Sequence, residues 1–335
     1  MSILLTGGAG YIGSHTTVLI MQAGLHVCVL DNLSNSEQIV LERIARITGK
    51  RPSFIEADVC NTSAVADALR QYEVQAVIHF AGLKAVGESA TQPIDYYANN
   101  VQGTISLLQA MQSSGVKTLV FSSSATVYGN PQYLPIDESH PTSATNPYGR
   151  TKLHIEEMLA DVSRSDPAWR IACLRYFNPV GAHESGLIGE NPRVVPNNLM
   201  PFVAQVASGR RPHVQVFGND YPTSDGTGVR DYIHVMDLAE GHLAALQYLQ
   251  KNEGWHSFNL GTGRGSSVLE MIRAFEAASG RAVPFNVVPR RVGDVAASYA
   301  KADKACELLG WSAKRDLASM CESSWMATQC GISIH

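Results

Sequence analysis

Tyr148 and Lys152 stand four residues apart in Tyr148-Gly-Arg-Thr-Lys152, and Ser122-Ser123-Ser124 lies about two dozen residues upstream. On a helix, residues four apart share a face, so a phenol and an ammonium group would meet there. A free phenol, with a pKa near ~10, is a poor base at pH 7. A unit positive charge at ~4 Å, in an effective dielectric of ~20, is worth roughly 4 kcal/mol. That is the size needed to lower a pKa by about three units. Lys152 could therefore make Tyr148 a usable proton carrier. Such a pair is common on solvated helices, and its meaning depends on the elements that position it.

The first of those elements reads as a nucleotide cradle. Ser2-Ile-Leu-Leu-Thr6 is a short apolar run, and Gly7-x-x-Gly10-x-x-Gly13 then opens a helical pattern through Met21. The spacing puts small residues where a strand turns into a helix, so that backbone N–H groups and the helix N-terminus can face a pyrophosphate. A second apolar run, His26-Val-Cys-Val-Leu30, ends at Asp31. A carboxylate roughly twenty residues beyond the fingerprint accepts from both ribose hydroxyls and repels a 2′-phosphate, which predicts NAD over NADP.

Further strands are expected at Ser53–Glu56, Ala76–Phe80, Thr118–Ser122 and Ile171–Arg175, with helices between them that include Val65–Gln71, Tyr96–Ser113 and Pro147–Ser163. Apolar runs buried on both faces predict an α/β fold with a Rossmann-type, doubly wound parallel sheet. Ligands of such sheets bind beyond the carboxyl ends of the strands. Asp31, Asp58, Phe80-Ala-Gly82, Ser122–Ser124 and Tyr176-Phe177-Asn178 all fall there. From about Gly181 the loops lengthen and carry more Pro, Arg and Asn, as in Asn191-Pro-Arg-Val-Val-Pro-Asn-Asn198. The expected division is a cofactor domain over 1–180 and, over 181–335, mainly a smaller mixed α/β substrate lobe, with some chain crossing back to the sheet.

Composition excludes several classes. The chain has 335 residues, enough for a large core, and no internal repeat or low-complexity linker. A net charge of -4 with 17% charged residues argues against nucleic acid as a partner. The six cysteines lack C-x-x-C spacing, and Cys28 and Cys173 sit in apolar runs. They read as reduced thiols in the cytoplasm, with neither disulfides nor a metal site. No signal-peptide pattern or apolar run of about eighteen residues suggests export or a membrane.

Fingerprint, acid, serine and Tyr-x-x-x-Lys together resemble the extended short-chain dehydrogenase/reductases, and more closely the UDP-hexose 4-epimerases among them. The likeness covers nearly the whole chain: Thr6–His15, Asp31–Leu33, His79–Ser89, Phe121–Gly129, Leu174–His183, Pro196–Pro201, Phe217–Thr223 and Gly226–Asp237. It implies that UDP-galactose and UDP-glucose are interconverted with tightly held NAD. Tyr148, as phenolate, would take the 4′-hydroxyl proton while hydride leaves C4′. The 4-keto sugar would then turn over, and both would return to its other face. Ser124 would hydrogen-bond the 4′-oxygen. Lys152 would lower the Tyr148 pKa and hold the nicotinamide ribose.

The same resemblance carries further residues over. Gly7, Gly10, Tyr11, Ile12, Gly13, Asp31, Asn32, Asn35, Ser36, Asp58, Val59, Phe80, Ala81, Gly82, Lys84, Asn99, Ser122, Tyr148, Lys152 and Phe177 match positions that hold NAD. Ser124, Asn178, Asn198, Leu199, Phe217, Arg230, Arg291 and Asp294 match positions that grip the UDP-sugar. Arginine suits a pyrophosphate because its planar fork gives two parallel charged bonds. His234, beside Tyr232, reads as a packed residue. The two helices from Tyr96 and Pro147 match those of a two-fold interface, so a homodimer is implied.

One position departs from the pattern. Epimerases restricted to the plain hexoses carry a bulky Tyr on the sugar-pocket wall. Aligned without a gap from Arg290-Arg-Val-Gly-Asp294, that place is Ser298 here, with Tyr299 next to it. A serine leaves room for a 2-acetamido group, so UDP-N-acetylglucosamine and UDP-N-acetylgalactosamine are expected as further substrates. A shift of one residue would instead return Tyr299 to the wall. Two other readings stand beside the epimerase. A nucleotide-sugar 4,6-dehydratase typically follows its active-site Thr with Asp-Glu, whereas the stretch here is Ser124-Ala-Thr-Val-Tyr128. A non-catalytic NAD sensor would not need Tyr148, Lys152 and Ser124 together.

Overall fold

The computed structural model describes residues 1–191, 196, 198–291 and 293–331. Parts of the Asn191–Asn198 and Arg290–Asp294 stretches therefore lie outside the described residues. Seven parallel strands form the central sheet, in the spatial order Gly254–Leu260, Arg170–Tyr176, Thr118–Ser124, Ala76–His79, Ser2–Thr6, His26–Asp31, Ser53–Glu56. Chain order runs outward in both directions from the first strand, so the switch point lies between Ser2–Thr6 and Ala76–His79.

Alternate side chains of these strands enter two separate cores, as a two-residue period requires. Ile3, Leu5, Val27, Val29 and Ile78 pack on one face with Val18 and Ile20, from the Tyr11–Gln22 helix, and with Leu238 and Leu246. Leu4, Cys28, Leu30, Val77 and Phe121 pack on the other with Leu69, Leu107, Met111, Ile155 and Leu159. A third core, built around Val203, Val216, Met271, Phe275 and Met320, supports the later part of the chain. This is the doubly wound sheet expected from the apolar runs.

Three details differ from the sequence reading. The expected single helix over Tyr96–Ser113 is broken: Pro93–Tyr96 is α-helical, Tyr97–Gln102 is a π-helical turn, and Gly103–Ser113 is α-helical. The π turn carries Asn99 and Asn100, and such turns recur at functional sites. The helix expected at Val65 starts at Thr62, because the Asn61 side chain caps it by accepting from Ala64 N at 3.1 Å. Finally, Gly254–Leu260 forms the seventh strand and pairs in parallel with Arg170–Tyr176. Its mixed sequence, Gly-Trp-His-Ser-Phe-Asn-Leu, hides the signal.

The helix that bears Tyr148 and Lys152 is well specified. Asn146 caps Pro147–Ser165 by accepting from Gly149 N at 2.8 Å, and Pro147 sits in the first turn, where its missing N–H is harmless. That cap fixes the first turn, and hence where Tyr148 projects.

Candidate active site

At the switch point the backbone makes a close-packed glycine turn into the first helix. Gly7 has φ +69°, and a Cβ there would stand 2.7 Å from Ala81 N. A Cβ on Gly13 would strike Gly7 O and lie 2.7 Å from Gly8 Cα. Gly10 begins the Tyr11–Gln22 helix without any side-chain cap, so its first N–H groups face outward. Asp31 is buried at the end of its strand: Oδ2 accepts from Ala9 N at 3.0 Å, and Oδ1 accepts from Leu33 N at 2.9 Å and Ser36 Oγ at 3.0 Å. The cradle and the acid are thus tied to each other, and Oδ2 keeps acceptor capacity for a ribose.

Asn32 Nδ2 donates to Asp58 Oδ2 at 2.8 Å, and hydrogen bonds from Cys60 N and Asn32 outweigh burial to lower the Asp58 pKa. Val59 and Phe177 are buried, Ile12, Phe80 and Ala81 are half-buried, and Asn35 is exposed. Tyr11 donates to Gly181 O at 2.6 Å. Gly82 lies against Asn100, whose amide donates to Leu83 O and to Thr151 Oγ1 and accepts from Leu83 N. Lys84, just past its strand, is exposed and pairs with Glu190 at 3.2 Å.

Ser124, Tyr148 and Lys152 converge at the carboxyl end of the Thr118–Ser124 strand. The Ser124 hydroxyl accepts from Thr126 N at 3.2 Å and Thr126 Oγ1 at 2.9 Å. With its lone pairs so engaged, its own proton is left to donate, and the hydroxyl works to lower the Tyr148 pKa. Lys152 is buried and donates to Ser122 O at 2.6 Å, with Nζ 5.9 Å from the centre of the Tyr148 ring. Burial lowers the Lys152 pKa to about 8, opposed by the Glu156 carboxylate.

The electrostatics differ from the expectation built on the Tyr–Lys pair alone. Burial raises the Tyr148 pKa, and the opposing influence is the hydrogen bond from Ser124. The Lys152 ammonium donates to the Ser122 carbonyl, so its charge is partly spent there. A second phenol, Tyr176, lies near. His242 Nδ1 meets the Leu238 carbonyl at 2.8 Å, so this nitrogen carries the proton and Nε2 accepts from Tyr176 at 2.6 Å. Burial raises the Tyr176 pKa, which keeps it a hydrogen-bond donor.

The structure brings Phe217, Arg291 and Asp294 together, and Arg230 beside Ser298. Arg291 stacks on Phe217 at 4.6 Å and pairs with Asp294 at 3.0 Å, while Arg290 turns to Asp220 and covers Tyr221 at 4.0 Å. The Arg230 guanidinium donates to Val229 O and Val295 O, and Ser298 pairs in parallel register with Arg230. Asn178 pairs with Tyr232, and the Asn198 side chain donates to Glu190 at 2.8 Å ahead of the Leu199–Ala207 helix. His234 is buried: its Nδ1 caps the next helix by accepting from Met236 N, and Nε2 meets Ser323. That is the packed role expected of it.

Sequence reasoning missed Thr126, Glu156, Glu190 and Asp231. Glu156 had a signal, since it continues the four-residue spacing of Tyr148 and Lys152. Glu190 had none, because Lys84 is 106 residues away.

A glycine cradle at the switch point and a Ser–Tyr–Lys group at an adjacent strand end define a nucleotide-dependent enzyme of the Rossmann class. Comparison with known proteins narrows this. Residues 3–261 match the NAD dependent epimerase/dehydratase family, and the chain belongs to that family. It is 57% identical over 325 residues to the UDP-glucose 4-epimerase of Bacillus subtilis, covering 97% of this chain and 96% of the relative. The crystal structure of the UDP-glucose 4-epimerase of Stenotrophomonas maltophila, with bound NAD and formylated UDP-arabinopyranose, is 54% identical with a TM-score of 0.97 and covers 98% of each chain. That from Bifidobacterium longum, with NAD+ and UDP, is 50% identical with a TM-score of 0.96 and covers 99% of each.

Proposed function

We propose that this chain is a UDP-hexose 4-epimerase that interconverts UDP-galactose and UDP-glucose by transient oxidation at C4′. The observation that carries this reading is the convergence of Ser124, Tyr148 and Lys152 beside a glycine cradle that fits a dinucleotide. Bound NAD supplies a hydride acceptor that gives back what it takes. Gly7, Gly10, Gly13 and Asp31 would hold its phosphates and ribose, and Lys152 and Asn99 would add further contacts to it.

The chain's own residues manage the proton. Tyr148 takes the proton of the 4′-hydroxyl and later returns it. Ser124, locked as a donor by Thr126, steadies the oxygen that gains charge. Lys152 holds the Ser122 carbonyl and adds positive charge beneath the phenol. Phe217 and Arg291 suit a flat base and its pyrophosphate, and Arg230 a second phosphate contact. The absence of an acid after Ser124 favours epimerisation over elimination. Residues 1–180 do mainly the cofactor's work and 181–335 mainly the sugar nucleotide's.

We further propose that 2-acetamido sugars are substrates. Ser298 stands in register with Arg230, and so shares its face of the small sheet. Tyr299 then points to the opposite face, where a Cβ on Gly265 would lie 3.2 Å from its ring. That geometry favours the serine as the wall residue. A homodimer through the helices expected at Tyr96–Ser113 and Pro147–Ser163 suits the 80% exposure of Ile94 just ahead of the first, and free thiols suit the cytoplasm.

One experiment tests both parts. The purified protein should convert UDP-galactose and UDP-N-acetylgalactosamine to their C4′ epimers. Tyr148→Phe should lose at least about a hundredfold in kcat on both, since a general base contributes on the order of 10²–10⁴. Ser298→Tyr should lose only the acetamido reaction. Near-normal turnover by Tyr148→Phe would refute the phenolate role, and a wild type inactive on the acetamido sugar would refute the wall assignment.

A further inference from the structure

The sugar pocket of that epimerase reading is framed by two very short strands, Val229–Arg230 and Ala297–Ser298, and a two-residue strand cannot fix its own position. Asp231 does so for both. Its side chain is fully buried, and its partners are all neutral donors. Oδ1 accepts from Thr262 N at 2.8 Å and Thr262 Oγ1 at 2.6 Å, while Oδ2 accepts from Gly263 N and Ala300 N, both at 3.0 Å. Its backbone adds two more ties: Asp231 N donates to Ser298 O at 3.0 Å, and Asn178 N donates to Asp231 O at 2.9 Å.

The segments joined here matter. Thr262 and Gly263 follow Gly254–Leu260 after Gly261, at the carboxyl end of the parallel sheet where ligands of this fold sit. Ala300 continues the segment that bears Ser298, and Asn178 heads the strand that pairs with Tyr232–His234. Two stretches distant in sequence thus meet on one carboxylate, and a third on the backbone of the same residue, next to Arg230. Backbone N–H groups that converge in this way form an anion nest, and the anion here belongs to the protein. Burial raises its pKa, and the hydrogen bonds from Thr262, Ala300 and Gly263 oppose that shift.

We propose that Asp231 is the positioning residue of the hexose pocket, holding the Ser298 segment against Arg230 and so setting the room beside the sugar's C2 substituent. The inference rests on the epimerase reading. An asparagine has the shape of the aspartate but must turn an NH2 toward one pair of donors. Either Thr262, or Gly263 and Ala300 together, then lose their acceptor, and the wall is free to shift.

The test compares wild type, Asp231→Asn and Thr262→Val as NAD-containing enzymes. For each, kcat and KM are measured for UDP-galactose and UDP-N-acetylgalactosamine, together with bound NAD. In Asp231→Asn, KM for UDP-galactose should rise about tenfold, while kcat stays within about threefold and NAD content is full. The ratio of kcat/KM between the two sugars should change at least about threefold. Thr262→Val, which removes one hydroxyl and leaves the backbone nest, should move KM the same way by less. In the Ser298→Tyr background, Asp231→Asn should restore part of the acetamido turnover. A parallel fall of kcat and NAD content with KM unchanged would overturn the proposal in favour of a folding role. Should Asp231→Asn not fold, unchanged KM in Thr262→Val overturns it. A wild type inactive on both sugars refutes the epimerase reading itself, and one active on UDP-galactose alone leaves the KM arm to decide.

Discussion

Breaking the buried pair Glu156–Arg175 should destabilise the protein sharply, and removing the pair whole should not. Arg175 Nη2 donates to Glu156 Oε2 at 2.6 Å, and Nε reaches both carboxylate oxygens at 3.1 Å. Their side chains are 6% and 3% exposed. Ser123 also donates to Glu156, and Arg175 continues through Tyr128 at 3.0 Å to Asn259. Arg175→Met leaves a buried carboxylate with a single hydroxyl partner, which costs about 3–5 kcal/mol. Unfolding entropy near ~2.1 cal/mol/K per residue gives roughly 0.7 kcal/mol/K for 335 residues. The expected fall in Tm is therefore about 4–7 °C by calorimetry. Glu156→Leu/Arg175→Met replaces both charges with apolar groups and should stay within about 2 °C of wild type, because desolvation of the pair offsets most of its attraction. Equal losses in the single and double variants would refute this reasoning. Glu156→Gln adds a functional readout. Its carboxylate opposes the burial that holds Lys152 at about 8, so the variant's alkaline limb in kcat/KM should move to lower pH.

Two further outcomes are expected. His79 sits between Thr6 at 2.6 Å and Thr104 at 3.0 Å, and burial, with help from Lys152, lowers its pKa to about 3. A depressed folded-state pKa gives stability that is present above the unfolded value of ~6.5 and lost as pH falls toward the folded one. Between about pH 5.5 and 4, His79→Gln should therefore flatten the slope of unfolding free energy by about 1.4 kcal/mol per pH unit in urea titrations, and an unchanged slope counts against it. Gly13→Ala, whose methyl would strike Gly7 O, should retain its circular dichroism spectrum but lose at least about tenfold in NAD affinity. Full NAD content in the purified variant would show the cradle to be more tolerant than its geometry implies.

The parts of this molecule legible in its sequence are those whose signal is local. Uninterrupted apolar runs mark six of the seven strands, and the glycine spacing, Asp31 and the Tyr148–Lys152 pair each announce themselves within a few residues. The seventh strand fails that test for a physical reason. Ser257 and Asn259 are buried within it, and Asn259 is satisfied by Ile136 O at 2.9 Å and by Tyr128 at 2.6 Å, partners more than a hundred residues away. A polar residue with a distant partner looks exposed until the partner is in place. The π turn at Tyr97–Gln102 is hidden in the same way, since its sequence suits an ordinary helix and Asn100 is held by Leu83 and Thr151.

The same distinction separates the reacting groups from what tunes them. A proton carrier can be recognised by type and spacing, but its pKa belongs to the assembled surroundings. Burial raises Tyr148, Ser124 opposes that rise, and Lys152 is itself held down by burial and up by Glu156. Thr126 decides which way the Ser124 proton points, and Asp231 ties the chain that bears Ser298 to Arg230. Neither residue carries chemistry of its own. Substitutions at such positions should therefore move KM, pH profile or sugar preference before they abolish turnover, whereas changes at Tyr148 should abolish turnover first.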